Sequence, residues 1–247
     1  MEQPYLLECC VDSVESALAA VEGGATRLEL CSSLVTGGLT PSLALFREIR
    51  RRCAVRIHVL LRPRFGDFLY TEAELDVLRE EVRLFKQAGA EGIVIGCLAA
   101  DGALDVPKMR SLIDLAGGMS ITLHRAFDLC IDPFAALEAA KALGIKTILT
   151  SGGQNTCVLG KPMLKKLLSR AGDVTILVGS GVNAEVIADF LRDTPAHAFH
   201  MSGKVVIPSG MQYHNETVSM GVAALDEYAI WRTDAAQIRA AAQLLRL

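Results

Sequence analysis

The sequence lacks the features that mark several classes of protein. Glycine, proline or charge interrupts each apolar run well short of the roughly 18 residues that a membrane-spanning helix needs. The first residues carry no basic region and lead directly into a strand-like stretch, which is not the pattern of a secretory signal. Neither a membrane partner nor secretion is therefore expected.

An excess of basic charge is also missing. The chain has 247 residues, of which 25 are lysine or arginine and 28 are aspartate or glutamate, giving a net charge of -3 at pH 7. Proteins that bind nucleic acid through its phosphates usually present a basic surface, so no nucleic acid partner is expected. Since 51% of the residues are hydrophobic, the chain can form a sizeable core.

The seven cysteines do not form a disulfide framework or a zinc finger. Their number is odd, and their spacing contains no Cys-x-x-Cys pair and no Cys/His cluster of the zinc-finger kind. Reduced thiols in a cytoplasmic protein are therefore the expectation.

The sequence does contain a regular alternation of strand-like and helix-like segments, with starts about 27 residues apart. The predicted strands are 6–9, 27–30, 57–61, 92–96, 120–123, 147–150, 175–178 and 198–201. Eight such units predict an α/β fold, a single (β/α)8 TIM-like barrel over residues 1–247, in preference to a doubly wound open sheet. No composition shift of the linker kind divides the chain, so one domain is expected.

Local signals predict where the helices begin. The predicted N-terminal caps are Ser13, Thr40 with Pro41, Thr71 with Glu74, Asp105 with Pro107, Asp132 with Pro133, and Asn183. We expect the sixth helix over 163–171 and the last over 233–244, where Leu244, Leu245 and Leu247 are candidate contacts of a homo-oligomer. The long connection at about 203–229 holds His214, Asn215 and Glu216, and it is either a lid, a wrap across one end of the barrel or an oligomer contact.

The alternation of strand side chains predicts which residues point into the barrel. Leu28 and Leu30 share one face of the second strand, so Glu29 and Cys31 are expected to point inward. The inward polar set obtained in this way is Glu8, Cys10, Glu29, Cys31, His58, Arg62, Thr122, His124, His200 and Ser202. Active sites of this fold lie at the C-terminal strand ends, where these residues are predicted to meet. A buried network whose members only satisfy one another is the alternative.

Acid–base chemistry is one function that this set permits. Glu8, Glu29, His58 and His124 are the candidate catalytic groups, because histidine titrates near neutral pH and burial tunes carboxylates. Arg62 would hold an anionic substrate. The corresponding prediction is an enzyme acting on a small phosphorylated or carboxylate substrate.

Two glycine-rich turns add a candidate anion site. Ser151-Gly152-Gly153 and Gly179-Ser180-Gly181 follow strands and precede helices, where backbone N–H groups can approach an anion. The candidate substrate or anion ligands are Arg62, Arg125, Asp128, Ser151, Gly152, Gly179, Ser180, His200 and Ser202. Tight turns need glycine in any case, and Arg125 with Asp128 could be an ion pair that only fixes His124.

Cys10 and Cys31 are the candidate metal ligands. They are predicted to point inward from adjacent strands, and soft thiolates favour Cu(I) or Zn(II). The alternative is that they are small buried hydrophobic residues, as most free cysteines in a core are.

Several motifs in a fixed order resemble one family. They are Glu8-Cys9-Cys10, Arg27-Leu28-Glu29-Leu30-Cys31, Gly37-Gly38-Leu39-Thr40-Pro41-Ser42, Arg62-Pro63-Arg64 with Gly66-Asp67-Phe68, His124-Arg125-Ala126-Phe127-Asp128, Leu149-Thr150-Ser151-Gly152 and the segment around Asp226-Glu227-Tyr228. Essentially from end to end, the chain resembles the CutC family of copper homeostasis proteins. Phe65 departs from the commoner family form, which has glycine after the Arg-Pro-Arg motif.

The resemblance implies a TIM-like barrel, a cytoplasmic location and copper handling through Cu(I) binding. Cys31 occupies a position that matches a family motif. No organic cofactor is expected. Two hypotheses therefore go forward: a copper homeostasis protein that binds Cu(I), and an enzyme for a small anionic ligand.

Overall fold

In the computed structural model, which describes residues 5–215, 217–220 and 225–246, eight parallel strands close into a barrel in sequence order. Each of the first seven is followed by an α-helix, and the eighth by two further strands and then a helix. The barrel strands are β1 Leu6–Val11, β2 Arg27–Leu30, β3 Arg56–Leu60, β4 Gly92–Ile95, β5 Ser120–Leu123, β6 Thr147–Thr150, β7 Thr175–Val178 and β8 Ala198–Met201. The helices are α1 Val14–Gly23, α2 Leu43–Arg50, α3 Glu72–Gln87, α4 Val106–Ala116, α5 Pro133–Ala142, α6 Cys157–Arg170, α7 Ala184–Asp193 and α8 Ala235–Leu245. The predicted (β/α)8 TIM-like barrel is confirmed.

The hydrophobic core lies between the barrel and the helices, as the alternation of side chains predicts. The outward residues Leu28 and Leu30 are fully buried in this layer, together with Phe46 and Phe199. Inside the barrel, the buried apolar side chains of the described residues form two small clusters, one of them made up of Cys10, Cys31, Leu60 and Val94. Polar side chains fill the barrel interior between these clusters.

The strand register places charged residues side by side. Glu8 on β1 pairs with Arg27 on β2 and with His200 on β8, and Cys10 pairs with Glu29. Neighbours in a sheet lie about 5 Å apart, so these side chains meet inside the barrel.

The start of α2 differs from the prediction. Ser42, and not Thr40, caps this helix, since its side chain accepts the backbone N–H of Leu45. The Thr40 hydroxyl is instead used across the fold: it accepts the N–H of Arg62 at 2.9 Å and donates to the Glu81 carboxylate at 2.9 Å. Thr40, which the local pattern predicts to cap α2, therefore uses its hydroxyl to connect distant elements of the fold.

Helix α6 begins six residues before the predicted start, at Cys157 rather than at position 163. Thr156 is its cap. Gly160, which makes a helix less favourable, is needed where it stands because its backbone packs directly on Ser151. Smaller differences are that β1 extends to Val11 and that Asp234 caps α8.

The long connection after β8 contains two further strands. β9 (Lys204–Pro208) and β10 (Ala229–Thr233) pair in antiparallel fashion as a separate two-stranded sheet. Thr233 ties this sheet to the barrel, because its hydroxyl donates to the Ser202 carbonyl and its N–H donates to the Ser16 hydroxyl. Glu216 lies outside the described residues.

Helix α8 packs within its own chain, since Ile238, Ala241 and Ala242 are buried and Leu244 and Leu245 contact the core. Leu247 is outside the described part of the chain, and the homo-oligomer stays a prediction. Among the helices of that part, none combines the length and the apolar character needed to cross a membrane.

Candidate functional site

A cavity of about 300 Å³ opens at the C-terminal ends of the barrel strands. Its walls combine charged groups from the strand ends with apolar side chains and with the β9–β10 sheet. The lining residues are Cys10, Asp12, Ser16, Glu29, Leu34, Gly37, Leu60, Arg62, Phe68, His124, Arg125, Leu149, His200, Ser202, Lys204, Trp231, Arg232 and Thr233. The volume is at the lower end of the range for small-molecule sites, roughly 300–1,000 Å³.

About half of the predicted site residues lie on this cavity. Those that line it are Cys10, Glu29, Arg62, His124, Arg125, His200 and Ser202. Those that lie elsewhere are Glu8, Cys31, His58, Asp128, Ser151, Gly152, Gly179 and Ser180. The first group comes from the ends of strands β1, β2, β3, β5 and β8, as expected for the mouth of a barrel.

Glu8 lies beneath the cavity in a buried charge network. Its Oε2 atom is 2.5 Å from Arg27 Nε, and its Oε1 atom accepts a hydrogen bond of 2.8 Å from His200 Nδ1. Burial by itself disfavours the carboxylate, but Arg27 and His200 outweigh it and hold the pKa of Glu8 well below its usual range. Glu8 is therefore a fixed negative charge rather than a group ready to exchange protons.

His200 connects this network to the cavity. Its Nδ1 atom faces Glu8 and its Nε2 atom lies 3.7 Å from Glu29 Oε2. Burial disfavours the imidazolium, yet the negative charge that Cys10 and Glu29 carry when ionised, with the hydrogen bond to Glu8, raises the pKa of His200 well above its ordinary value. The ring is thus a half-buried cation with carboxylates on both sides.

Glu29 has the opposite environment to Glu8. Burial raises its pKa above the ordinary value, and the Cys31 Sγ atom lies 3.5 Å from its Oε2 atom. Two carboxylates that flank the same imidazole ring therefore differ in their readiness to hold a proton, which is the usual way a fold separates acid from base roles.

Cys10, Glu29 and His200 form a group with metal-binding geometry. One ligand atom from each, the thiol sulfur, a carboxylate oxygen and a ring nitrogen, all lie within 4.8 Å of one another. Cys31 is not part of this group, although it lies next to Glu29. Burial and Glu29 raise the pKa of the Cys31 thiol well above its ordinary value, which disfavours the thiolate.

His58 is buried below the cavity. Its Nδ1 atom is 3.3 Å from the Thr122 hydroxyl, and its ring fills the space that a side chain at Gly92 would need. Burial and the nearby Arg27 charge lower the pKa of His58 to about 3, so the ring is neutral. This placement matches the inward prediction, but it puts His58 out of reach of a ligand in the cavity.

His124 lines the cavity as a neutral ring with a defined tautomer. The backbone N–H of Ala126 donates to its Nδ1 atom at 3.1 Å, so the ring proton is on Nε2. That Nε2 atom is buried without a hydrogen-bond partner among the described residues. Burial and the Arg62 charge lower the pKa of His124 to about 3. Phe68 packs on the ring, with centroids 4.7 Å apart.

Arg62 holds the loops at the mouth together. Its terminal nitrogens donate to the carbonyls of Thr36, Gly38 and Gly66 at 3.3, 3.1 and 2.8 Å. Its guanidinium also lies over the Phe68 ring, 5.1 Å from the centroid. The Arg62 Nε atom is buried and, in the part of the chain that is described, has no partner.

Asp128 occupies the anion position of the first glycine-rich turn. Its carboxylate accepts the backbone N–H groups of Ser151 and Gly153 at 3.1 and 3.0 Å and the Thr150 hydroxyl at 2.5 Å, and it pairs with Arg125 Nε at 2.7 Å. The sequence made this turn a candidate anion site. The structure supplies an internal carboxylate instead.

Three further donors of the two turns are also used internally. The N–H of Gly152 donates to the Thr150 hydroxyl and that of Gly179 to the Thr150 carbonyl. The Ser180 hydroxyl donates to the Asn155 carbonyl at 2.6 Å. These contacts are those of tight turns. The amides of Ser180 and Gly181 have no acceptor among the described residues, so an anion site at the second turn stays a prediction.

The sequence-based prediction missed several residues of the site, among them Arg27, Phe68 and Trp231. Arg27 shares the inward face with Glu29, so the alternation of β2 contains the signal for it. Phe68 belongs to a motif that the sequence singled out, without a role. Trp231 gave no signal, because the pairing of β9 with β10 was not predicted.

The sequence is similar to proteins of one family. The model described as the CutC family matches residues 5–205. A family protein CutC of Bacteroides fragilis (strain YCH46) is 48% identical, with 88% of this chain and 87% of that protein covered. A protein of Homo sapiens named copper homeostasis protein cutC homolog is 39% identical, with 95% of this chain and 87% of that protein covered.

Solved structures show the same architecture. A crystal structure named for the copper homeostasis protein CutC from Streptococcus agalactiae superposes with a TM-score of 0.76 at 26% identity, covering 80% of this chain and 98% of that one. The 3-hexulose-6-phosphate synthase from Salmonella typhimurium superposes with a TM-score of 0.61 at 16% identity, covering 98% of both chains. The second likeness concerns the fold alone.

Proposed function

The chain belongs to the CutC family, and on that premise we propose that it is a copper homeostasis protein that binds Cu(I) in the cytoplasm. The proposed site is the group of Cys10, Glu29 and His200 at the barrel mouth. The observation that carries the proposal is that these three side chains bring one ligand atom each within 4.8 Å of the others.

Two of the three side chains, those of Cys10 and His200, are ligands that suit copper. Thiolate selects Cu(I) or zinc, and imidazole also suits copper, whereas a carboxylate is a hard ligand. Cys10 and His200 would therefore hold the ion, with Glu29 as a weaker contact. Cys31, which the sequence paired with Cys10, is the next thiol to test, since it lies beside Glu29.

Glu8 supplies the support that a ligating histidine usually has. A histidine bound to a metal generally donates its other ring N–H to a carboxylate, which fixes the ring and its tautomer. His200 donates from Nδ1 to Glu8 at 2.8 Å, so its Nε2 atom is the one that faces Cys10 and Glu29. Because the pKa of His200 is raised, binding of an ion must release the Nε2 proton.

A cytoplasmic location is consistent with the thiols. All seven cysteines, every one of them within the described ranges, are free. Free thiols persist in reducing compartments, and oxidising ones favour disulfides.

The experiment is an anaerobic titration of Cu(I) against a chromogenic chelator of known affinity. We expect wild-type protein to take one equivalent and the Cys10→Ser variant to lose it. Cys9→Ser is the matched control, because Cys9 is also buried but points away from the barrel axis into the outer core. Equal copper affinity of Cys10→Ser and Cys9→Ser would contradict the site, and loss on Cys31→Ser alone would move it to the other thiol.

The enzyme alternative is less well served by the geometry. Of its four candidate acid–base groups, Glu8 and His58 do not line the cavity, and His124 has its Nδ1 atom engaged by the chain. Glu29 is the carboxylate that remains on the wall. The likeness to sugar-phosphate enzymes concerns the fold alone, so catalysis by this chain stays a prediction.

A further inference from the structure

We propose that the cavity at the barrel mouth binds a small organic carboxylate, held by Arg62 Nε and His124 Nε2. This site shares the cavity with the proposed Cu(I) ligands but uses other residues. It does not depend on copper being bound.

Two buried nitrogens on residues of the cavity wall have no hydrogen-bond partner among the described residues. Arg62 is 8% exposed and His124 is 5% exposed, both line the cavity, and each has one buried nitrogen without an acceptor among the described residues. An unpaired buried donor costs about 1–3 kcal/mol, so such groups are usually satisfied in the working protein. Both nitrogens are donors, which means that neither can satisfy the other. A ligand oxygen bound in the cavity is the acceptor that we assign to both.

The tautomer of His124 makes this requirement specific. The Nδ1 atom accepts a hydrogen bond from the Ala126 N–H, so the proton of the neutral ring is on Nε2, and Nε2 can only donate. A neutral donor next to a guanidinium suits an oxygen that carries or shares a negative charge.

The charge of the wall also favours an anion. Arginine and lysine contribute Arg62, Arg125, Lys204 and Arg232 to the cavity wall, and of these Arg125 pairs with Asp128 and Arg232 with Glu15, two carboxylates that lie outside the cavity lining. The carboxylates on the wall are Asp12 and Glu29. Such a surplus raises the local concentration of anionic ligands.

The apolar part of the cavity wall favours a ligand that also has a hydrocarbon part. Leu34, Leu60, Phe68, Leu149 and Trp231 all line the cavity. Apolar walls with a few convergent polar groups are typical of sites for small organic molecules. A bare inorganic anion would leave these walls in contact with water.

A carboxylate fits better than a phosphate. Phosphate sites in barrels are commonly built from backbone N–H groups of the later loops. Here the amides of Ser151 and Gly153 are already bonded to Asp128, and the turn at Gly179 does not line the cavity. Two side-chain donors match the two oxygens of a carboxylate.

The test uses the single tryptophan of the chain, Trp231, which lines the cavity and reports on its contents by fluorescence. Metal-free protein is titrated with cyclohexanecarboxylate, with cyclohexanecarboxamide as the uncharged match and with inorganic phosphate. We expect the carboxylate to bind at least about tenfold more tightly than the amide or phosphate, which is the effect of about 1.4 kcal/mol. Equal binding of acid and amide, tighter binding of phosphate, or no response to any of the three would overturn the proposal.

Two substitutions at His124 separate recognition from structure. His124→Asn keeps an acceptor for Ala126 N–H and removes the distal donor, whereas His124→Gln keeps a distal N–H and removes the near acceptor. We expect His124→Asn to bind the carboxylate at least about tenfold more weakly and His124→Gln to restore part of the affinity. If His124 only supports the backbone, the order of the two variants is reversed. If the two His124 variants do not bind the carboxylate in this order, the proposed Cu(I) site is not affected. The copper titration uses a different probe and tests different residues.

Discussion

Glu8 Oε1 accepts a hydrogen bond of 2.8 Å from His200 Nδ1, while Oε2 of the same carboxylate lies 2.5 Å from Arg27 Nε. Glu8 is fully buried and Arg27 nearly so. The register explains the contact, since Glu8 stands opposite both residues in the sheet. One carboxylate therefore balances two cations and fixes the ring that carries the proposed metal ligand.

Removing the charge of Glu8 is expected to destabilise the protein severely. In the Glu8→Gln variant the Arg27 guanidinium stays buried without its counter-charge, and breaking one side of a buried ion pair costs about 3–5 kcal/mol. Equilibrium urea unfolding, followed by circular dichroism, measures the change in the free energy of unfolding. Glu22→Gln is the control, because Glu22 pairs with Arg239 on the surface and its loss should not shift the midpoint measurably. Similar midpoints for both variants would refute this account.

The histidines are expected to show opposite protonation states in one barrel. In metal-free protein at pH 7, His200 should be an imidazolium, whereas His58 and His124, whose pKa values are about 3, should stay neutral down to about pH 5. Ring nitrogen shifts in NMR spectra, assigned with single His→Gln variants, measure this directly. A His200 ring that is neutral at pH 7 would contradict the network.

The same shifts predict the direction of the pH dependence of stability. The folded pKa values of His58 and His124 lie below the unfolded value of 6.5, so the unfolded chain binds protons first as the pH falls. Their contribution is complete above pH 6.5 and is lost between 6.5 and about 3. His200 has the opposite sign: its raised pKa gives a contribution that is complete below 6.5 and lost as the pH rises through the folded value. Urea midpoints of His200→Gln and His124→Gln against wild type should therefore diverge in opposite directions with pH.

The sequence was sufficient for those parts of the site that depend on local pattern. Strand alternation placed Glu29, Arg62, His124 and His200 on the inward face, and they line the cavity. It could not say how deep along the barrel each residue sits. Glu8 and His58 point into the barrel as predicted, but they lie deeper than the residues that line the cavity. The depth of a residue depends on how neighbouring strands are staggered, which the alternation of side chains does not reveal.

Asp128→Asn is expected to loosen the turn after β6. The carboxylate accepts two backbone N–H groups and two hydroxyls and pairs with Arg125, and an amide offers one acceptor oxygen and no charge. We expect a loss of about 2–3 kcal/mol, the usual contribution of one or two hydrogen bonds to a charged group. Faster hydrogen exchange at the Gly153 amide would locate the effect. Asp132→Asn is the matched control, since asparagine caps a helix as well as aspartate does. Equal losses in both variants would argue against the role of Asp128.

The parts of the site that were not predicted depend on contacts between distant segments. The sequence shows a glycine-rich turn at 151–153, but it does not show that Asp128, more than 20 residues earlier, fills it. Likewise, Trp231 lines the cavity because β10 pairs with β9, a strand more than 20 residues earlier in the chain. Local propensity carries no information about such pairings, so they were accessible only from the fold.

Gly160→Ala is expected to destabilise the protein although it lies inside a helix. A glycine in a helix interior is usually about 0.5–1 kcal/mol less favourable than alanine, so propensity alone predicts a gain. A Cβ atom at position 160, however, would overlap the Ser151 carbonyl oxygen and come within 3.1 Å of the Gly152 Cα atom. Because both neighbours are backbone, they cannot turn aside, and overpacking of this kind costs about 1–3 kcal/mol. Urea unfolding of Gly160→Ala beside Gly210→Ala, whose Cβ atom would meet nothing within 4 Å, gives the comparison. A stabilised Gly160→Ala variant would mean that helix propensity outweighs the close packing of α6 on the turn that holds Asp128.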